Sequence, residues 1–438
     1  MNKYLVCLAA IFVSVSAWAG MAEHTQRAKI AGIDLITYHS NIKDVVVILG
    51  SMPAGDAMAE SGNAAIPTLT GMMLDRGTTL HDKFGIAQML EDVGATIAFN
   101  VGSQTLEISA KCLTKDLPMV LGLIAEELRD PKFQPEEFTK AKQQLIGSLQ
   151  AASQNTESRA KETFSRAIFS AGHPNYPHST AEFLAAAQSA SLNDLKKFHA
   201  KYYGPQFLVL VLAGDVPNTA EAQIAKSFGG WAGGHDYVRG ADKAKSGSAR
   251  TITIPLADKP SVSMMLGQAT GLQYRDTDAL ALRVGTAILG RGFTGRLMGI
   301  VRDKEGLTYD IGALVSEDNI TDGAWDISAS FAPALLDKGI ASTRRELNRW
   351  WQDGVTQTEL DERKQGLIGS YRVGLSNTGG IAFMLLTTVQ RGYDVSWLDD
   401  YPQAIQALTL DQVNRAIRTH LDPSRMILVE AGSVAPAR

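Results

Sequence analysis

Cysteine and basic tracts are both scarce in this sequence. Its 438 residues include only two cysteines, Cys7 and Cys112, and the formal net charge is −4. Because Cys7 lies in the N-terminal apolar segment, removal of that segment would leave Cys112 with no partner for an intramolecular disulfide. The alternating pattern of Leu106–Cys112 predicts a strand and a buried, unreactive thiol. Without an arginine-rich tract, a nucleic-acid partner is not expected.

A continuous apolar run near the N terminus is too short to span a membrane. Lys3 precedes the apolar segment Tyr4–Val15, and the small-residue pair Ala17 and Ala19 follows it. This order is typical of a secretory signal peptide, cleaved here after residue 19. The sequence therefore predicts an exported protein, periplasmic or secreted, with residues 1–19 removed and no membrane anchor.

The sequence does contain a clear internal duplication. Three blocks of the first half recur in the same order in the second half, at a spacing of about 220 residues. The matching blocks begin at Leu106 and Trp325, at Ala141 and Arg363, and at Ser191 and Thr409. The repeats predict two homologous domains, 20–228 and 250–438, joined by a glycine-rich linker over residues 229–249.

The order of predicted elements indicates the fold class of each domain. Strand pairs joined by tight turns alternate with separate runs of helices, which is typical of an α+β fold. Each domain is therefore expected to contain an antiparallel sheet with helices packed on one face.

The stretch Leu289–Ser316 offers two rival functions. Gly290, Gly292 and Gly295 match the spacing of a dinucleotide-binding turn, which requires a strand before the glycines and a helix after them. Residues 278–289 instead have apolar side chains at helical spacing, so the glycines are expected to connect two helices in a close turn. A nucleotide cofactor is therefore not predicted.

The second interpretation of the stretch depends on Arg302 and Tyr309. If Gly306 ends a helix, the chain reverses there and the two side chains can approach each other. A guanidinium and a phenol would then form two donors suited to a carbonyl oxygen that gains negative charge. The structural alternative is an arginine favoured by the helix dipole and an ordinary strand tyrosine.

The glycine-rich turn, Arg296-Leu297 and the segment Val301–Tyr309 resemble the non-metal domain of the pitrilysin family of zinc peptidases, the inverzincins. That family includes the mitochondrial processing peptidase, and the resemblance extends over the duplicated chain. It implies that this chain forms half of a clam-like chamber. It also implies that Arg302 and Tyr309 bind the substrate carbonyl or oxyanion across that chamber from the zinc.

The first half resembles the family's metal-bearing domain, but the H-x-x-E-H motif is missing. Aligning Arg76-Gly77-Thr78 with the family's Lys-Gly-Thr identifies the four residues at the lost ligand and base positions, which are Thr68, Gly71, Met72 and Ser148. These residues do not form a zinc site with a general base. His173-Pro174 resembles a loop feature of the family and is expected to be structural. A Gly-x-Ser-x-Gly nucleophile elbow is absent as well.

The resemblance therefore implies a non-catalytic subunit of a heteromeric zinc metallopeptidase, inactive alone. A homologous partner subunit, in a heterodimer or larger assembly, would supply the zinc and the general base. Arg302 and Tyr309 would act in trans on peptide substrates. The alternative is a peptide-binding or scaffold protein with no catalytic partner. A self-sufficient enzyme with an unrecognised metal site is the third possibility.

Overall fold

The structure is a computed structural model that describes residues 20–59, 63–234, 243–244 and 247–434. The predicted signal peptide and much of the predicted linker, residues 235–242 and 245–246, lie outside the described residues.

The first half of the chain forms a six-stranded sheet with the order β1-β2-β6-β3-β5-β4. Its strands are β1 (Thr25–Ile30), β2 (Ile33–His39), β3 (Val45–Met52), β4 (Thr96–Val101), β5 (Leu106–Leu113) and β6 (Val209–Gly214). The second half forms a five-stranded sheet with the order β7-β11-β8-β10-β9. Its strands are β7 (Arg250–Pro255), β8 (Val262–Ala269), β9 (Thr308–Ser316), β10 (Ala324–Phe331) and β11 (Ile427–Gly432).

The two sheets have the same topology once β1 is set aside. In the first sheet the last strand in sequence, β6, lies between β2 and β3. In the second sheet the last strand, β11, lies between β7 and β8. This repeat of topology agrees with the duplication predicted from the sequence. Neither sheet is purely antiparallel, because β2 pairs with β6 and β7 pairs with β11 in parallel. The helices that precede β6 and β11 provide the long crossover that a parallel pair requires.

Fourteen α-helices occur in the described residues. Those of the first half are α1 (Ile66–Gly71), α2 (Lys83–Glu91), α3 (Leu117–Arg129), α4 (Pro135–Ser153), α5 (Thr156–Ile168), α6 (Thr180–Ser189), α7 (Leu192–Tyr202) and α8 (Ala220–Phe228). Those of the second half are α9 (Ala279–Gly290), α10 (Leu336–Asp353), α11 (Gln357–Gly374), α12 (Thr378–Gln390), α13 (Trp397–Ala407) and α14 (Leu410–His420). Ser191 and Thr409, at equivalent positions of the duplication, both begin their helices with a capping box.

Each half has its own hydrophobic core between its sheet and its helices. In the first core, β5 alternates strictly, so that Cys112 and every second residue before it point inward. Cys112 is buried, as predicted, and burial raises the pKa of its thiol to about 11. In the second core, the rings of Trp325 and Trp350 stack with their centroids 5.8 Å apart.

One helix from each half packs on the sheet of the other half. Phe164 of α5 packs among residues of β8 and β11, and Leu385 of α12 packs against Ile36 and Val211 of the first sheet. Each sheet is therefore covered on its second face too, by a helix from the other half, beyond the helices expected on one face. The reason lies in the central strands, because β6 is apolar on both faces and β11 is apolar on both faces except at Glu430, so both strands need cover on both faces.

A buried polar cluster also joins the halves. The Nε2 atom of His173 lies 2.9 Å from Oδ1 of Asp322, and the side-chain amide of Asn175 donates to the carbonyl oxygens of Glu317 and Asp322. Gln104 extends the cluster by donating to Oδ1 of Asn175 at 2.8 Å. Both ring nitrogens of His173 have partners within the protein, since Nδ1 accepts a hydrogen bond from the backbone amide of Asn175. The predicted structural role of His173 is consistent with these contacts.

Candidate functional site

The chain reverses between Arg302 and Tyr309, as the glycine between them predicted. Met298–Lys304 winds as a π-helix and Gly306 adopts φ +63°, a left-handed conformation that favours glycine. The amides of Gly306 and Leu307 donate back to the carbonyls of Arg302 and Val301 and close the helix. Strand β9 then starts at Thr308, which places Tyr309 beside the last turn of the helix.

Arg302 lies between two aromatic rings. Its guanidinium carbon is 4.7 Å from the ring centroid of Tyr309 and 5.1 Å from that of Phe293. Both rings are mostly exposed, at 81% for Tyr309 and 74% for Phe293. The rings hold the guanidinium plane through cation–π contact. Phe293 was missed by the sequence reasoning, although it is a bulky apolar side chain within a turn of small residues.

The donors of this site make no hydrogen bonds within the described part of the chain. The Arg302 guanidinium makes none, and its Nε forms a long ion pair, 3.9 Å, with Oδ1 of the exposed Asp303. The Tyr309 hydroxyl likewise has no hydrogen-bond partner in the described part of the chain. Two unused donors, on a positively charged group and a phenol, form an exposed site for an oxygen that carries negative charge.

The glycines before Arg302 connect two helical segments, as expected. Helix α9 ends at Gly290, and the π-helix begins at Met298. A Cβ atom at Gly290 would lie 2.2 Å from the amide nitrogen of Ala313, so this glycine allows α9 to touch strand β9. Because a helix precedes the glycines, the requirement for a dinucleotide-binding turn is not met.

The four lost ligand and base positions do not suit a metal. A Cβ atom at Gly71 would lie 2.3 Å from Cγ2 of Val101, so a glutamate there would require the Val101 side chain to move. Thr68 donates to Oδ1 of Asp56 at 2.8 Å, and Ser148 donates to the carbonyl of its own helix at Leu145.

Zinc does not fit this place in the first half. The residue at the second histidine position, Met72, offers a thioether, which is a poor ligand for zinc. The described residues contain no cluster of three or more histidine, cysteine, aspartate or glutamate side chains that could hold a metal ion. Burial raises the pKa of nearby Asp56 to about 7, partly offset by the hydrogen bond from Thr68. One isolated carboxyl group provides neither a ligand set nor a positioned base.

Comparisons with known proteins identify the family. Residues 44–179 match the family described as "Insulinase (Peptidase family M16)", and residues 189–367 match the domain described as "Peptidase M16 inactive domain". The chain belongs to peptidase family M16. The boundary between the two matches falls before α7. In the structure of this M16 chain the first domain extends further, because β6, which follows α7, belongs to the first sheet.

The M16 chain is similar over nearly its full length to several bacterial proteins. It is 23% identical to the "Non-peptidase homolog YmxG" of Helicobacter pylori over 96% of both chains. It is 24% identical to an "Uncharacterized zinc protease" of Mycobacterium tuberculosis over 87% of this chain and 86% of the other. The relatives of this M16 chain thus include a protein described as a non-peptidase homolog and a protein described as a zinc protease.

Solved structures share the fold. A Pseudomonas fluorescens peptidase M16 inactive domain superposes with a TM-score of 0.86 at 24% identity, over 94% of this chain and 99% of that one. A Helicobacter pylori protease gives a TM-score of 0.83 at 18% identity, over 93% and 98%. At these identities the likeness concerns the fold alone.

None of the described helices is long and apolar enough to cross a membrane.

Proposed function

We propose that this chain is the non-catalytic subunit of an exported, heteromeric M16 zinc peptidase. It pairs with a homologous subunit that carries H-x-x-E-H, and the two chains enclose the peptide substrate. The metal and the general base belong to the partner. This chain contributes Arg302 and Tyr309, which bind the substrate carbonyl at the scissile bond in trans.

The observation that carries the proposal is the contrast between the two halves of the chain. Gly71 provides no base and is packed against Val101, whereas the side chains of Arg302 and Tyr309 make no hydrogen bond to the described residues and Tyr309 is exposed. The aromatic rings on either side of Arg302 orient its guanidinium before a ligand arrives, and pre-organised donors are the ones that stabilise developing charge most effectively.

The test is a reconstituted complex of this chain with a zinc-bearing M16 subunit that co-purifies with it. Arg302→Ala and Tyr309→Phe should each lower kcat for peptide cleavage by about 100- to 1,000-fold, the usual effect of removing one oxyanion donor. KM should change far less, because the two groups bind the oxyanion more strongly than the ground-state carbonyl.

Lys304→Ala is a matched control, since Lys304 is an exposed cation of the same π-helix. It should leave kcat unchanged. The proposal is wrong if the purified chain alone binds one equivalent of zinc and cleaves peptides. It is also wrong if both site variants retain the activity of the wild-type complex.

A peptide-binding or scaffold protein without a catalytic partner is the second candidate. The description of the Helicobacter pylori relative as a non-peptidase homolog is the observation that favours it. Under this alternative, no zinc-bearing M16 chain co-purifies from the native cells. Arg302→Ala would then weaken peptide binding, with no cleavage to measure.

A further inference from the structure

The second half of the chain contains a cavity of about 510 Å³ that the proposed function does not use. It is bounded by the end of α9, the edge strand β9 and the helices α11, α12 and α13. Neither Arg302 nor Tyr309 lines it. Its volume is within the usual range for small-ligand sites, about 300–1,000 Å³.

This cavity is the counterpart of the lost metal site. Gly71 at the end of α1 touches edge strand β4 at Val101, and Gly290 at the end of α9 touches edge strand β9 at Ala313. The two glycines therefore occupy equivalent places in the duplicated fold.

Counting from these glycines, Ala287 and Arg291 occupy the places of Thr68 and Met72. The repeat of α4 in α11 gives Ser370 as the counterpart of Ser148. Ala287, Gly290, Arg291 and Ser370 all line the cavity. The second half thus has a guanidinium where a metal-bearing half has a zinc ligand.

The cavity has an excess of positive charge. Three arginines line it, Arg283, Arg291 and Arg391, and only Arg283 is paired with a carboxylate, that of Asp318. Arg391 donates to the amide oxygen of Asn319, a neutral partner, at 2.9 Å. Arg291 is exposed, and its side chain makes no hydrogen bond or ion pair with the residues that the structure describes.

The walls between the arginines are mainly apolar and include several aromatic rings. The guanidinium carbon of Arg391 lies 3.5 Å from the ring centroid of Tyr274, which fixes one cation against the wall. Tyr371 donates its hydroxyl to the carbonyl of Leu398, so its ring faces the cavity with the polar end satisfied. Phe383 of α12 adds a side chain that is 56% exposed. A ligand for this cavity needs an anionic group and an apolar group close together.

We propose that the cavity binds the C-terminal residue of a peptide whose last side chain is aromatic or aliphatic. The carboxylate pairs with Arg291 and Arg391, and the side chain packs among the aromatic rings. A free amino acid is disfavoured, because its ammonium group would lie beside the guanidinium groups. An internal aspartate would supply the carboxylate without the apolar side chain.

Strand β9 provides a path for the rest of the peptide. It pairs only with β10 among the described strands. The side chains of Thr308 and Arg283 already bond the backbone of Asp310 and Val315, so the backbone open to a further strand is that of residues 311–314. Gly312 and Leu314 of β9 line the cavity. A peptide strand added along this edge would enter the cavity by its end.

This inference does not rest on the proposed function, because binding requires neither zinc nor a partner subunit. Isothermal titration calorimetry of the purified chain with N-acetyl-Ala-Ala-Phe measures it directly. The free acid should bind, and its C-terminal amide should bind about 10- to 100-fold more weakly, as expected for the loss of a charge-assisted pair. N-acetyl-Ala-Ala-Ala should also bind more weakly than the phenylalanine peptide.

Two variants assign the site. Arg291→Gln should reduce affinity for the free acid by about tenfold or more, and Arg291→Lys should restore part of it. Arg291 is exposed, so these variants should melt at the wild-type temperature. Arg372→Gln, an exposed position on α11 outside the cavity lining, should bind as the wild type does.

Three results would overturn the proposal. The first is equal affinity for the free acid and the amide. The second is an unchanged affinity in Arg291→Gln. The third is that amidated N-acetyl-Ala-Asp-Ala binds as tightly as the phenylalanine acid, which would identify an acidic side chain instead of a chain terminus. Loss of peptide cleavage in Arg302→Ala bears only on the proposed function, since Arg302 lies outside this cavity.

Discussion

Replacing His173 by alanine should destabilise the chain strongly, although His173 is remote in sequence from the proposed site. The Nδ1 atom of His173 accepts a hydrogen bond from the backbone amide of Asn175 at 3.1 Å, so the proton of the neutral ring is on Nε2. That Nε2–H group donates to Oδ1 of Asp322 at 2.9 Å, and the amide of Ala244 donates to Oδ2 at 2.8 Å. The Asp322 side chain is only 2% exposed. Alanine would leave one carboxylate oxygen buried without its donor.

The expected loss is about 3–5 kcal/mol in the free energy of unfolding, the range for removing one partner of a buried charged group. The lost hydrogen bond to a charged acceptor accounts for about 1.5–3 kcal/mol of this. Loss of the imidazole ring, which stacks on Phe169 with centroids 4.5 Å apart, adds a cavity.

The pH dependence provides an independent check. Burial raises the pKa of Asp322, but the hydrogen bonds from His173 and Ala244 outweigh burial and hold the pKa below its ordinary value. A lowered pKa contributes stability above about pH 4, the ordinary range of an aspartate, and that contribution is lost as the pH falls through the folded-state pKa. The difference between wild type and variant should therefore shrink in acid.

Urea unfolding at pH 7, followed by tryptophan fluorescence and far-ultraviolet circular dichroism, measures the effect. Coincidence of the two probes establishes that both halves unfold together, as a two-state treatment requires. His178→Ala is the control, because His178 is an exposed residue of the same loop and should change stability by less than about 0.5 kcal/mol. A loss below about 1 kcal/mol in His173→Ala would refute the reasoning.

Two further substitutions test packing and buried charge. Gly290→Ala should lower the free energy of unfolding by about 1–3 kcal/mol in thermal or urea unfolding, because the new Cβ would meet the amide nitrogen of Ala313. Gly299→Ala is the control, because open space surrounds Gly299, and it should leave stability unchanged or raise it. Burial raises the pKa of Glu127 to about 8, so wild-type stability should fall between about pH 4.5 and 8, where the folded chain holds a proton that the unfolded chain has lost. Glu127→Gln should flatten this slope, and an unchanged slope would rule out Glu127 as its source.

The duplication and much of the local structure could be predicted from the sequence. Strict alternation in β5 predicted both the strand and the burial of Cys112, because neighbouring side chains of a strand point to opposite faces. The repeated blocks at Ser191 and Thr409 correspond to equivalent capped helices. The reversal at Gly306 followed from the need for a residue that tolerates positive φ.

Features that depend on distant parts of the chain were not predictable in this way. The exchange of α5 and α12 between the halves leaves no local signal beyond the apolar runs in β6 and β11, which show that both faces are buried but not what covers them. Phe293 reaches Arg302 only because of the path of the glycine turn. Of the cavity arginines, Arg283 lies in α9 and Arg291 directly follows that helix, whereas Arg391 follows α12 and becomes their neighbour only in the folded chain.

The two equivalent sites have diverged in ways that are difficult to reverse. Replacing Thr68, Gly71 and Met72 by the missing motif would restore the residue types, but the side chain of Val101 would also have to move, because its Cγ2 lies 2.3 Å from the Cβ position of residue 71. In the second half, Gly290 is held against Ala313 in the same manner, while the neighbouring Arg291 faces an open cavity. The site in the first half is thus packed against its edge strand, whereas the equivalent site in the second half opens into a cavity lined by arginines. Under the proposed function, the metal and the base would come from another subunit, and this chain would add the binding of carbonyl and carboxylate oxygens.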